Sequence, residues 1–86
     1  MPEISRFFGI IIAMYFDDHG PAHFYVRYGQ QKALFDIEKL VLLHGELSPR
    51  VLSLTNEWAK LHQQELLEDW ELAKKHAPLK KISPLE

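Results

Sequence analysis

The chain has 86 residues, of which 10 are basic and 12 acidic, and its formal net charge is −2. A chain of this length holds one hydrophobic core, so we expect a single domain over residues 1–86. The charge balance offers no general attraction for nucleic acid or for an anionic membrane. Because there is no cysteine, disulfides and thiolate metal sites are excluded.

The most apolar run of the chain covers residues 7–16. Isoleucine and aromatic residues dominate it, which favours a strand over a helix at this length. Both alternating faces are apolar, so we predict a central strand that is covered on both sides. The run is too short to cross a membrane as a helix, and acidic residues follow it instead of a small-residue cleavage site. We therefore expect a soluble, cytoplasmic protein.

Alternating polarity predicts two more strands, at 23–28 and 31–37, with the tight turn Gly29-Gln30 between them. A loop over residues 17–21 precedes them, since Asp, Gly and Pro favour turns. Residues 40–43 are predicted to form a fourth short strand. Together these segments predict a sheet over about residues 7–43.

The turns also predict the register of this sheet. Ile12 lies opposite Val26 and Phe24 opposite Phe35, which places the apolar residues of three strands on one face. The even-numbered face of the first strand is then the side that helices cover. On the other face, Tyr15, His23 and Asp36 form one row across the sheet, and Arg27 lies opposite Lys32. His44 is predicted to lie in a loop.

Residues 49–75 carry a helical apolar pattern that begins at Ser48-Pro49, an N-cap followed by a first-turn proline. One straight helix of this length would exceed the diameter expected for the domain. Its two apolar stripes are also out of phase, so we predict a break near His62-Gln63. Trp58 and Trp70 are predicted core residues. Residues 78–86 are predicted to be an extended segment that either frays or docks on the sheet or on a partner.

The polar residues around the first turn are the candidates for chemistry. His19, His23 and Asp36 could bind zinc or iron, since two histidines and a carboxylate are a recurrent ligand set. The same three residues and Tyr15 are the candidates for acid–base catalysis, with Asp17, Asp18 and Tyr25 as polar neighbours. The alternative is that His23 and Asp36 are a structural cross-strand pair and His19 an exposed turn residue.

Other residues are candidates for interaction. Arg27 and Lys32 would repel each other if left alone, so they either splay into solvent or meet an acidic partner or a phosphate. The second face of the sheet carries Phe7, Ile11 and Leu34, and it is too apolar to face solvent. The full set of predicted interaction residues is Phe7, Ile11, Arg27, Leu34, Leu79, Ile82 and Leu85.

Several segments resemble a family of bacterial proteins known as domain of unknown function 4160. They are Pro2–Tyr15, Asp18–Gly29, Trp58, His62, Glu65-Leu66-Leu67, Trp70 and Pro78–Ile82. The resemblance implies a short stand-alone protein, often encoded beside a second small protein, an arrangement that suggests a regulatory or toxin–antitoxin-like pair. The family pattern has histidines at the positions that match His19 and His23. The family usually has a third histidine where this chain has Tyr25, and this departure weakens a three-histidine metal site here.

We therefore predict an α+β fold with a three- to four-stranded antiparallel sheet and one or two C-terminal helices on one face. The favoured function is an interaction module, without a cofactor, that binds the small protein of a neighbouring gene or a second copy of itself. The alternative is a small metal-dependent or acid–base enzyme that uses His19, His23 and Asp36. A third hypothesis is weak nucleic-acid binding through Arg27, Lys32, Lys80 and Lys81, against which the net charge argues.

Overall fold

A computed structural model describes residues 2–16 and 19–86. The strands are β1 (Glu3–Phe7), β2 (Ile10–Ala13), β3 (His23–Tyr28), β4 (Gln31–Asp36) and β5 (Leu42–Gly45), and the helices are α1 (Pro49–Leu61) and α2 (Gln63–Lys74). The five strands lie side by side in chain order, each antiparallel to the next. The α+β class is confirmed, with five strands where three or four were predicted.

The additional strand arises because residues 7–16 contain a tight turn. Phe7 pairs with Ile10 across this turn, and the two turn residues, Phe8 and Gly9, have φ angles of 51° and 80°. Positive φ at both central residues is the requirement of a type I′ hairpin turn, and glycine adopts positive φ without strain. The prediction of one strand over 7–16 was therefore wrong, because residues 3–7 form β1 and β2 begins at Ile10.

The predicted register is confirmed for β2, β3 and β4. Ile12 pairs with Val26, and Phe24 with Phe35. The fourth predicted strand lies two residues later than expected, at Leu42–Gly45, after a turn at residues 37–39. Its pairing with β4 contains an irregularity. His44 consequently lies in strand β5, opposite Leu34, and the prediction of a loop histidine was wrong.

The core fills one side of the sheet, which we call the helix face. Ile10, Ile12, Phe24, Val26 and Phe35 on this face are at most 1% exposed. The indole of Trp58 packs here, with its ring centroid 5.8 Å from that of Phe24. These are the even-numbered residues of β2 and their cross-strand partners, so the predicted side for the helix layer is confirmed.

The two helices are separated at His62, as predicted. This residue leaves helical geometry with φ −118° and ψ 24°, and its ring nitrogen Nδ1 lies 2.6 Å from the Glu65 carboxylate. A straight helix over residues 49–74 would be about 39 Å long at 1.5 Å per residue, but the longest dimension of the molecule is 33 Å. The break lets both Trp58 and Trp70 reach the core, where they are 0% and 6% exposed.

The segment after the helices, residues 78–86, docks on the protein itself. The Ile82 amide donates to the Ile4 carbonyl at 2.8 Å, and the Trp58 indole Nε1 donates to the Ser83 carbonyl at 2.8 Å. Ile82 and Leu85 are buried in the core. The segment thus lies along β1 and satisfies backbone groups at that edge of the sheet. Across the described ranges, no helix is long and apolar enough to span a membrane.

Candidate functional site: the open face of the sheet

The side of the sheet opposite the helices is the candidate site, and we call it the open face. Residues directly opposite each other in antiparallel strands share a face, so the register defines two rows across it. One row contains Arg6, Ile11, Arg27 and Lys32, and the next contains Glu3, Ala13, Tyr25, Leu34 and His44. Each strand therefore contributes at least one side chain to this surface.

A cavity of about 300 Å³ lies over the middle of the open face. Its floor is apolar, formed by Ile11, Ala13 and Leu34. The rings of Tyr15 and Tyr25 border the floor and pack edge to face, with centroids 4.4 Å apart. Ile11 and Leu34 are half-buried, so the surrounding chain leaves part of their apolar surface in water. An apolar concave surface with a few polar groups is typical of a binding site.

Basic side chains border the same cavity. Arg27, Lys32 and His44 line it, and all three are exposed. Arg27 and Lys32 lie directly opposite each other, as the sequence predicts. Within the described ranges, neither residue forms a salt bridge. Among residues 2–16 and 19–86, no acidic side chain lines the cavity, which gives these lining residues a local positive charge on a chain with a net charge of −2.

His23 and Asp36 pair across the strands as predicted, but the pair lies at the end of the sheet and is buried. The His23 ring packs against Trp70 of α2 with a centroid distance of 5.0 Å, and its Nδ1 donates to the Pro21 carbonyl at 2.8 Å. Asp36 is 3% exposed and accepts a hydrogen bond from the Lys39 amide at 2.8 Å. These contacts fit a structural pair that orders the turns at this end of the sheet.

The other predicted catalytic and metal-binding residues are not assembled around this pair. His19 is exposed, and Tyr15 contacts Tyr25 at the border of the cavity. Asp17 and Asp18 lie outside the described residues. Over residues 2–16 and 19–86, no group of three or more His, Asp or Glu side chains is arranged to hold a metal ion.

The predicted interaction residues divide into two groups. Ile11, Arg27 and Leu34 lie on the open face at the cavity, where the prediction places them. Phe7 lies on the helix face instead, since its turn with Ile10 reverses the chain, and it packs 5.3 Å from Trp58. The residues of the 78–86 segment also pack on the core, with Ile82 and Leu85 buried and Leu79 half-buried.

Sequence reasoning missed one residue of the site. His44 reaches the cavity because β5 continues through Gly45, whereas the sequence Leu42-Leu43-His44-Gly45 indicates a strand that stops at Leu43. Regular alternation would place Leu42 and His44 on the same face, whereas they pair with Phe35 and Leu34 on opposite faces. The irregular register that places Leu43 between them could not be read from composition.

The structure defines a small α+β protein with one face of its sheet covered by its own helices and the other open. The chain belongs to the family described as domain of unknown function DUF4160, whose sequence profile matches residues 9–71. The matched range contains β2 to β5 and α1 in full, and with them the whole cavity lining. No curated protein and no solved structure matches the chain.

Proposed function

We propose that this protein is an interaction module of a two-gene regulatory or toxin–antitoxin-like pair and that its open face binds the partner protein. The observation that carries the proposal is the apolar cavity on a sheet face that the protein's own helices leave uncovered. Burial of exposed apolar surface is the main favourable contribution to protein association. A second small protein encoded next to the gene, as the family resemblance implies, would supply that cover.

The layout of the fold supports this assignment. The helix face is closed by α1, α2 and the 78–86 segment, which supply Trp58, Leu66, Trp70, Ile82 and Leu85 to the core. No further segment of the described chain lies over the cavity, whose lining comes from the sheet strands and Tyr15. Contiguous apolar surface of this kind on a small protein is typical of an interaction site.

Co-expression with the protein of the neighbouring gene tests the proposal, with paired leucine variants as the probe. Leu34→Glu changes the cavity floor and places a carboxylate beside Arg27 and Lys32, which favours its tolerance by the fold. Leu61→Glu is the matched control, because Leu61 is 67% exposed at the end of α1. We expect Leu34→Glu to abolish co-purification and Leu61→Glu to leave it unchanged, with both variants folded by circular dichroism.

Two results would contradict the proposal. The first is that the wild-type protein and the neighbouring protein, each monodisperse, show no association in calorimetry at micromolar concentrations. The second is that a complex forms and both leucine variants bind as tightly as the wild type, which would place the interface elsewhere.

A further inference from the structure

We propose that the open face selects a partner segment that is both acidic and apolar, with its carboxylate held between Arg27 and Lys32. This inference rests on the proposed function and names the chemistry of the partner. Its basis is the arrangement of two exposed cations directly opposite each other at the border of an apolar cavity. Like charges at opposed cross-strand positions destabilise a sheet, and an incoming carboxylate would remove that repulsion.

The other arginine of the same row shows the contrast. Arg6 is bound by the Glu3 carboxylate through two contacts, at 2.8 and 3.2 Å, and this hydrogen bond lowers the pKa of Glu3. The part of the chain that the structure describes provides no such counter-ion for Arg27 or Lys32. Their charge is therefore available to a ligand, whereas the charge of Arg6 is already neutralised.

The apolar floor makes this cationic site stronger than an isolated surface charge. A carboxylate that reaches Arg27 and Lys32 while its neighbouring side chains cover Ile11 and Leu34 is partly removed from water. Coulombic attraction rises as the local dielectric constant falls. The floor and the cations thus favour the same ligand, an extended or helical segment with an Asp or Glu next to aliphatic or aromatic residues.

A second copy of this chain does not match the site. The strands place only Glu3 and Asp36 as acidic residues at positions on the open face. Glu3 is already bound to Arg6, and Asp36 is 3% exposed. Two copies packed face to face would therefore bring no free carboxylate from the described strands to Arg27 and Lys32, and burial of unpaired charges is costly. The charges favour a different protein as the partner.

Nucleic acid matches the site less well than an acidic polypeptide. The other cations proposed for a phosphate-binding patch, Lys80 and Lys81, lie in the segment along β1, and the Lys81 ammonium donates to the Glu3 carbonyl at 2.8 Å. Three strand spacings of ~4.8 Å, or about 14 Å, separate β1 from β4, which carries Lys32. The four cations therefore do not form one patch along which a nucleic-acid backbone could run.

Selection from a phage library of random 12-residue peptides, with the full-length chain immobilised, tests the inference. We expect the enriched peptides to combine Asp or Glu with aliphatic or aromatic residues. One such synthetic peptide should bind the Arg27→Gln/Lys32→Gln variant about tenfold more weakly than the wild type, the loss that ~1.4 kcal/mol represents. The control is Lys60→Gln/Lys74→Gln, which removes the same charge from the helices and should leave binding unchanged.

Other outcomes overturn the inference. These are an absence of enriched peptides, enriched peptides without acidic residues, equal binding by both double variants, and tighter binding of a 20-nucleotide single strand than of the peptide. The proposed function is judged separately. A complex with the neighbouring protein that requires Leu34 but not Arg27 and Lys32 would retain the proposed function and overturn the acidic partner. Acidic-peptide binding without that complex would retain the inference and overturn the two-gene pair.

Discussion

Replacement of Ile82 by alanine should show that the 78–86 segment is part of the core. The side chain is 4% exposed, and the substitution removes three buried carbons at ~0.8 kcal/mol each, which is about 2.4 kcal/mol. A residual cavity adds to this loss, so we expect a cost of about 3 kcal/mol, within the range for core Ile→Ala changes. At ~0.05–0.15 kcal/mol per residue, the free energy of unfolding of the whole chain is about 4–13 kcal/mol. The expected loss is therefore a large share of the total stability.

Urea unfolding followed by tryptophan fluorescence measures this cost. The segment contacts Trp58 directly, since the Ser83 carbonyl accepts its indole hydrogen bond, so the fluorescence reports on docking as well as on global unfolding. Leu61→Ala is the control, because Leu61 is 67% exposed and should change stability by less than ~0.5 kcal/mol. If Ile82→Ala costs no more than Leu61→Ala, the packing of this segment contributes nothing to stability and the reasoning is refuted.

Three further predictions concern single residues, each measured by urea unfolding. Gly45→Ala should lower the free energy of unfolding by at least ~2 kcal/mol, and by more than Gly29→Ala does. Both glycines have positive φ, but an added Cβ would lie 2.2 Å from the Lys32 carbonyl oxygen at Gly45, whereas nothing lies within 4 Å at Gly29. Equal losses would contradict the close approach at Gly45. Phe8→Asn should be more stable than Phe8→Ala by about 0.5–1 kcal/mol, because asparagine tolerates positive φ; the reverse order would show that the turn is unstrained. Burial raises the pKa of Asp69 above its ordinary value of 3.8, so the folded state binds the proton more tightly and stability falls as pH rises through that window. The stability of the wild type relative to Asp69→Asn should therefore decrease from pH 3 to pH 7, and a constant difference would contradict a raised pKa.

The register of β2 to β4 could be predicted because two strong signals agree. The turn at Gly29-Gln30 sets the pairing of β3 with β4, and a slip of one residue would expose Phe24 and Phe35. The break at His62 could be predicted from the phase of the two apolar stripes and from length alone, although neither glycine nor proline marks it. Each of these predictions depends on burial, which leaves a periodic pattern in the sequence.

The turn at Phe8-Gly9 and the strand position of His44 could not be predicted in the same way. A large aromatic residue at positive φ contradicts local preference, so Phe8 reads as part of a strand and conceals β1. This error also placed Phe7 on the wrong face. The 78–86 segment lacks any period because its contacts are made one at a time, for instance from Ile82 to Ile4 and from Ser83 to Trp58. Such contacts depend on the completed fold.

The two faces of β2 separate the stability of this protein from its binding. Ile10 and Ile12 are fully buried against the helices, whereas Ile11 lies between them in sequence and faces the open cavity. Substitutions on the open face should therefore change affinity with little effect on the isolated fold. A partner that binds only the folded state stabilises it by mass action, by about 2.7 kcal/mol at a hundredfold excess over Kd. We therefore expect the melting temperature to rise with the partner's concentration, and we expect Leu34→Glu to remove that rise.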